Sequence, residues 1–136
     1  MTNESTADTG KLLLRLALGL MILLHGIAKL MSGPAGVLSS VEKVGLPQAF
    51  GYLVYVGEVV APLLIIVGFL TRPAALVIAI NMIFAVYLVH MGQLFQLTKQ
   101  GGWALELQGM YFFTALAIAF LGAGRYSVGG AGGRFN

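Results

Sequence analysis

Residues 12–31 read LLLRLALGLMILLHGIAKLM. Such a run of about 20 mostly apolar residues is long enough to cross a bilayer as one helix. It ends with His25 and Lys29 still inside the apolar pattern. These two residues lie four apart, so a helix sets them on one face. A polar pair on a membrane helix is costly and as a rule faces the protein interior, which makes it a functional-site candidate by default. The rest of the chain is read by asking what meets that face.

The chain has 136 residues, of which 58% are hydrophobic and 10% charged, and its mean hydropathy is +0.89. A soluble domain carries about 25% charged residues, so the charge deficit argues for a membrane protein with the bilayer as its main partner. The length suits one domain with no separate soluble module. The absence of cysteine excludes disulfides, thiolate metal ligands and thiol redox chemistry within the chain. The net charge of +3 comes from scattered basic residues, and no cluster points to nucleic acid.

Three further apolar stretches follow, at about 51–70, 74–91 and 103–121. The expected architecture is all-α: a polytopic bundle of four transmembrane helices spanning 11–127. Between the first two, the spacing of Val37, Leu38, Val41 and Val44 predicts a short amphipathic helix at the interface. Glu58 and Pro62 interrupt the second stretch, so a kink or a local loss of backbone bonding is expected there. Thr71-Arg72-Pro73 reads as a tight turn, with Pro73 suited to the start of the third helix. Residues 1–10 lack a basic region and read as a polar flexible tail rather than a signal peptide. The Gly-rich residues 128–136 read as a second flexible tail. With an even number of spans the termini share a side, which holds Lys11, Arg15, Arg72, Arg125 and Arg134. The other side holds Lys29, Lys43 and Lys99. This bias places both termini in the cytoplasm.

Rise per residue gives the depth of each polar group. His25 and Lys29, Glu58, His90, and Glu106 with Gln108 all fall toward the end of the bundle opposite the termini. Every helix thus sends a His or Glu to one layer, whichever way the bundle is inserted. The bland reading is that Lys29 snorkels, His90 and Glu106 are wet, and Glu58 is paired only for neutrality. Glu58 resists it best, because a carboxylate about seven residues inside a membrane helix needs a proton or a cation. A quinone suits such a pocket. Its carbonyls need hydrogen-bond partners, its reduction needs a proton donor, and its tail needs an apolar groove. His25, Glu58 and Tyr111 offer the first two. Two histidines on different helices suit a b-type haem, but their depths differ by about one turn. His25, Glu58, His90 and Glu106 could together bind a metal, but the Glu-x-x-His spacing of di-iron bundles is absent, so neither haem nor metal is the favoured occupant. Asn81 is mid-helix and reads as hydrogen-bonding across to another helix. Gly19, Gly26, Gly57 and Gly68 read as close helix contacts.

At these same residues the chain resembles the DoxX family. RLALGLMILLHGIAKL is similar to its opening motif, a helix bearing His-Gly and then Lys. GEVVAPLLIIVGFLTRPAA is similar to its second signature, from Glu58 to Gly68, Thr71, Arg72 and Ala74. The run from Glu106 to GAGRYS is similar to its close. The likeness covers residues 14–127. It implies a four-helix bacterial inner-membrane protein related to the membrane subunit of thiosulfate:quinone oxidoreductase. The implied function is a redox-associated subunit that binds quinone or a redox partner at the outward cluster. His25, Lys29, Glu58, Arg72 and Glu106 match motif positions, with His90 and Tyr111 as looser matches. Ala123 stands where the family often has Pro, and Val128-Gly129 follow Ser127 where an Asp is common. On this expectation Glu58 and His25 are the catalytic pair. His25, Lys29, Glu58, His90, Glu106 and Tyr111 form the cofactor site. Two alternatives stay open: a scaffold subunit whose polar cluster is a packing network, and a small-solute transporter working as an oligomer.

Overall fold

A computed structural model describes residues 2–136. Five helices follow one another: α1 (Asn3–Ser32), α2 (Ala35–Lys43), α3 (Gln48–Val67), α4 (Thr71–Gln93) and α5 (Glu106–Leu121). Apart from these, the described residues contain turns and one isolated antiparallel bridge, Leu97 to Trp103. α1, α3 and α4 are each long and apolar enough to cross a membrane. α5 is apolar but has 16 residues, about 24 Å. It is shorter than the expected stretch because residues 94–105 fold into a closed loop. Trp103 Nε1 donates to Leu94 O at 2.8 Å, which takes Trp103 out of the helix. Large apolar side chains cover the outside of every long helix, among them Leu24, Ile80, Ile83 and Phe113. With no water-facing polar coat on these faces, the molecule is a helical membrane protein.

α1 starts earlier than expected. The Thr2 side chain accepts from the Ser5 backbone N–H at 3.2 Å, a cap in the N-terminal first turn, and Glu4 there meets the positive end of the helix dipole. Residues 3–10 are therefore helix rather than tail, and Asp8 ties them to Lys11 and to Arg125 of the C-terminal segment.

The interior is built from small residues. Ala74, Ala75, Ala79 and Ala115 join Ile22, Ile65, Ile78 and Ile118 in one buried cluster. Small side chains let membrane helices approach closely, where packing rather than water exclusion drives association. α2 lies across the end of the bundle, with Val41 fully buried. A Cβ on Gly51 would stand 2.7 Å from Leu38 Cδ2, so the start of α3 sits flush on α2.

Both α3 and α4 leave α-geometry, each with one 3-10 turn and one π turn. α3 opens as a 3-10 turn and widens to a π turn at Val56–Val60 before resuming α-helix at Ala61. Pro62 explains the widening. It has no N–H for the carbonyl four residues back, that of Glu58, and its ring crowds that carbonyl in a regular helix. α4 widens at Val86–His90. The expected break at Pro62 thus takes the form of a π turn, a feature common near functional sites.

The end of the bundle that holds the termini is closed by arginines. Arg15 is 1% exposed. Its guanidinium donates to Ile65 O (2.8 Å), Ile66 O (3.0 Å), Ala123 O (2.7 Å) and Tyr126 O (2.9 Å). Arg72 donates to Ala119 O and Phe120 O, both at 2.8 Å. These are carbonyls at the C-terminal ends of α3 and α5 and just beyond, where the helix leaves acceptors free and the dipole is negative. The expected flexible tail at 128–136 docks here instead. Val128 N and Gly129 N donate to Val67 O and Gly68 O, and Arg72 N donates to Phe135 O. Asn136, 8% exposed, accepts from the Thr71 hydroxyl at 2.8 Å. Glycine lets the segment fold tightly, and the α3–α4 corner supplies the partners.

Candidate functional site

At the opposite end, Lys29 Nζ lies 2.5 Å from Glu58 Oε2. Asn81 Nδ2 donates to the other carboxylate oxygen, Oε1, at 3.4 Å. Three helices thus converge on one carboxylate. Glu58 is 4% exposed, and a carboxylate so placed is stable as an ion only with a paired cation and filled lone pairs. Two glycines make the approach possible. A methyl on Gly26 would run into the Glu58 backbone carbonyl, and one on Gly57 would stand 2.5 Å from Asn81 Cγ. Gly26 therefore seats α1 against the π turn, while Gly57 admits the Asn81 amide. Tyr55 Oη donates to Lys29 O at 3.3 Å and holds the end of α1 to α3.

The ion pair borders a cavity of about 150 Å³. Ile22, His25, Lys29, Glu58, Met82, Ala85, His90, Leu107, Gln108 and Tyr111 line it. Five of the six residues expected at the site, His25, Lys29, Glu58, His90 and Tyr111, share this one wall. Glu106 does not. It is exposed and folds toward Gly102, where an added Cβ would stand 2.7 Å from its Oε2. Gln108 takes its place. Two residues turn a helix by about 200°, so Gln108 faces the cavity with Tyr111, three residues on, while Glu106 faces away.

His90 sits at the end of the α4 π turn. Its Nδ1 is 3.0 Å from Gln93 Oε1, and its Nε2 is 3.5 Å from Gln108 Nε2. With the amides so oriented, the neutral ring donates from Nδ1 and accepts at Nε2. His25 differs. It is exposed on α1 and meets the Tyr111 ring edge-on, with centroids 6.1 Å apart. It has no side-chain hydrogen bond among the described residues. His25 and Tyr111 also line a groove of about 330 Å³ on the outer surface, with Met21, Leu24 and Ala28. The two rings therefore stand between the inner cavity and the apolar exterior. No group of three or more His, Cys, Asp and Glu among the described residues could hold a metal ion.

Two parts of this arrangement leave little trace in the sequence. Asn81 is legible there as a residue that hydrogen-bonds across helices, but its partner is not. The Glu58 to Pro62 spacing of four is the only signal for the first π turn, and nothing in the sequence marks the one at His90.

The family model for DoxX matches residues 10–91, which include the Lys29–Glu58 pair, Asn81 and His90. An uncharacterised protein of Haemophilus influenzae is 33% identical over 114 residues, 82% of this chain and 81% of that one. A Bacillus subtilis protein that carries the name "Putative oxidoreductase CatD" is 29% identical over 84 residues, and the match spans 62% of each chain. No solved structure matches. The family match covers more than half of the chain and nearly all of the cavity's charged wall, and the chain belongs to the DoxX family.

Proposed function

We propose that this protein is a redox-associated membrane subunit that binds a quinone head in the cavity beside Glu58. The observation that carries the reading is the joint lining of one small cavity by a buried carboxylate, its cation, an imidazole and a phenol. That donor set suits a flat ring with an oxygen at each end. The groove outside His25 and Tyr111 suits the isoprenoid tail, which stays in the bilayer. The name of the Bacillus relative supports an oxidoreductase setting. Bound quinone would supply two-electron redox chemistry. The chain's own groups do the rest. His25, which has no side-chain hydrogen bond among the described residues, hydrogen-bonds one ring oxygen, and Tyr111 orients the imidazole. Lys29 keeps Glu58 ionised while the site is empty, and Glu58 relays the two protons of the quinone/quinol couple one after the other when the site is filled. Electrons come from a partner protein or subunit, because the sequence carries no flavin, nicotinamide or iron–sulfur motif.

We place the bundle in the bacterial inner membrane with both termini cytoplasmic. Arg15 and Arg72 act as caps in the folded bundle, yet they carry their charge when orientation is set during insertion, so the count of basic residues still applies. The test is purification with native lipids and extraction of quinone. About one quinone per chain in wild type, lost in Glu58→Gln, supports the reading. Wild type free of quinone at every stage of purification contradicts it.

One observation favours a second reading. No buried side-chain nitrogen or oxygen among the described residues lacks a hydrogen-bond partner. A polar network satisfied on its own is what a packing device needs, and in that case the chain is a scaffold subunit. Glu58→Gln would then lower thermal stability or co-purification of a partner without changing any turnover.

A further inference from the structure

The ion pair has a second face. Lys29, Glu58, Ala85 and His90 line the inner cavity and also a separate space of about 540 Å³ beneath α2. Hydroxyls of Ser32 and Ser40 stand on the wall of that space. The Lys29 side chain is 33% exposed against 6% for Glu58, so the cation is the open member of the pair. A cavity lined by an ammonium and two hydroxyls, and large enough for many waters, does not stay dry.

We propose that the space beneath α2 is an aqueous vestibule through which Glu58 exchanges its proton with one face of the membrane. The need for that exchange rests on the quinone reading, whereas the water access does not. A proton arriving at Glu58 neutralises the carboxylate, and Lys29 turns its ammonium into the vestibule water. Release of the proton to that water restores the pair. One proton enters and one leaves, and Lys29 stays charged throughout. The groups facing Glu58 are Lys29 from α1, Asn81 and His90 from α4, and, across the inner cavity, His25 from α1 with Tyr111 and Gln108 from α5. Among the described residues, α2 brings no ionisable group to the vestibule. Glu58 is thus the one acid on the shared wall, and water is its route outward.

The chain has no cysteine, so a single introduced thiol reports water access without background. The probe is a cationic, membrane-impermeant methanethiosulfonate added to one side of sealed proteoliposomes of the full chain. Ala85→Cys places the thiol on the wall common to both spaces. Lys99→Cys, in the loop at the α2 end, marks the reactive side. Leu24→Cys, on the apolar exterior and 68% exposed, marks the bilayer. We expect Ala85→Cys to react from the same side as Lys99→Cys, and Leu24→Cys to stay inert. Gly36→Trp should slow the Ala85→Cys reaction at least tenfold. Gly36 lines the vestibule and a Cβ there meets nothing within 4 Å, so an indole can be added at its wall without moving the cluster. Inert Ala85→Cys beside reactive Lys99→Cys overturns the proposal, as does a rate that Gly36→Trp leaves unchanged. If Ala85→Cys does not fold, Ser40→Cys replaces it: reaction from the Lys99→Cys side supports the vestibule, and an inert thiol overturns it. Quinone found with an inert thiol overturns the vestibule and spares the quinone reading. A reactive thiol with no quinone does the reverse.

Discussion

The two ends of this bundle use the same materials to opposite ends. At the terminal end, Arg15 and Arg72 direct their donors to backbone carbonyls, and the C-terminal segment folds over them. At the other end, Lys29 pairs directly with a carboxylate between two cavities, the His25 ring has no side-chain hydrogen bond among the described residues, and α3 and α4 both widen into π turns. Charge in an apolar helix is therefore not in itself a sign of function. A cation held by the fixed acceptors of helix ends is a joint. A cation held by a titratable group, beside space, is a candidate site.

Substitutions break this comparison in a definite order. Arg15→Met should do the most damage. It strands four backbone carbonyls, two in buried and two in part-buried hydrogen bonds, and charged hydrogen bonds are worth about 1.5–3 kcal/mol each. A loss of about 4 kcal/mol or more is expected, read as failure to accumulate or as a large fall in the thermal midpoint in detergent. Near-normal stability would show that the terminal end is not the joint described. Gly26→Ala comes next. Its methyl must displace the Glu58 carbonyl, at a cost of about 1–3 kcal/mol, and bound quinone should fall with it. Stability lost with quinone retained would separate the α1–α3 seam from the site.

Glu58→Gln should cost less, about 1 kcal/mol, because the partly exposed Lys29 can turn to water rather than remain buried and unpaired. Quinone should nevertheless be lost. A fall as large as that of Arg15→Met would make the two ends alike and favour the packing network. Glu106→Gln should change stability by less than about 0.5 kcal/mol and leave quinone content as in wild type. A marked loss of quinone would return Glu106 to the site.

How far the sequence carries this picture follows from what each signal measures. Apolar run length makes the helices and their order legible. Rise per residue sets the depth of His25, Lys29, Glu58 and His90, and the structure gathers all four at one cavity. Depth says nothing of direction, which is why Glu106 groups with them in the sequence although it faces away. Composition makes both tails look mobile. The contacts that hold them join distant segments, such as Thr71 to Asn136 across 65 positions, and local composition carries no record of such pairs. Arg15 itself reads as a topology charge for the same reason.

The most direct test of the central claim, that the open end is a site and the closed end a joint, is equilibrium binding of a short-tailed quinone to the purified chain. Wild type and Glu58→Gln should be compared at matched thermal stability in the same native-lipid preparation. The account requires saturable binding near one per chain in wild type and at least a tenfold weaker dissociation constant in Glu58→Gln, about 1.4 kcal/mol. Equal affinity in the two proteins, or no saturable binding to wild type, would contradict it.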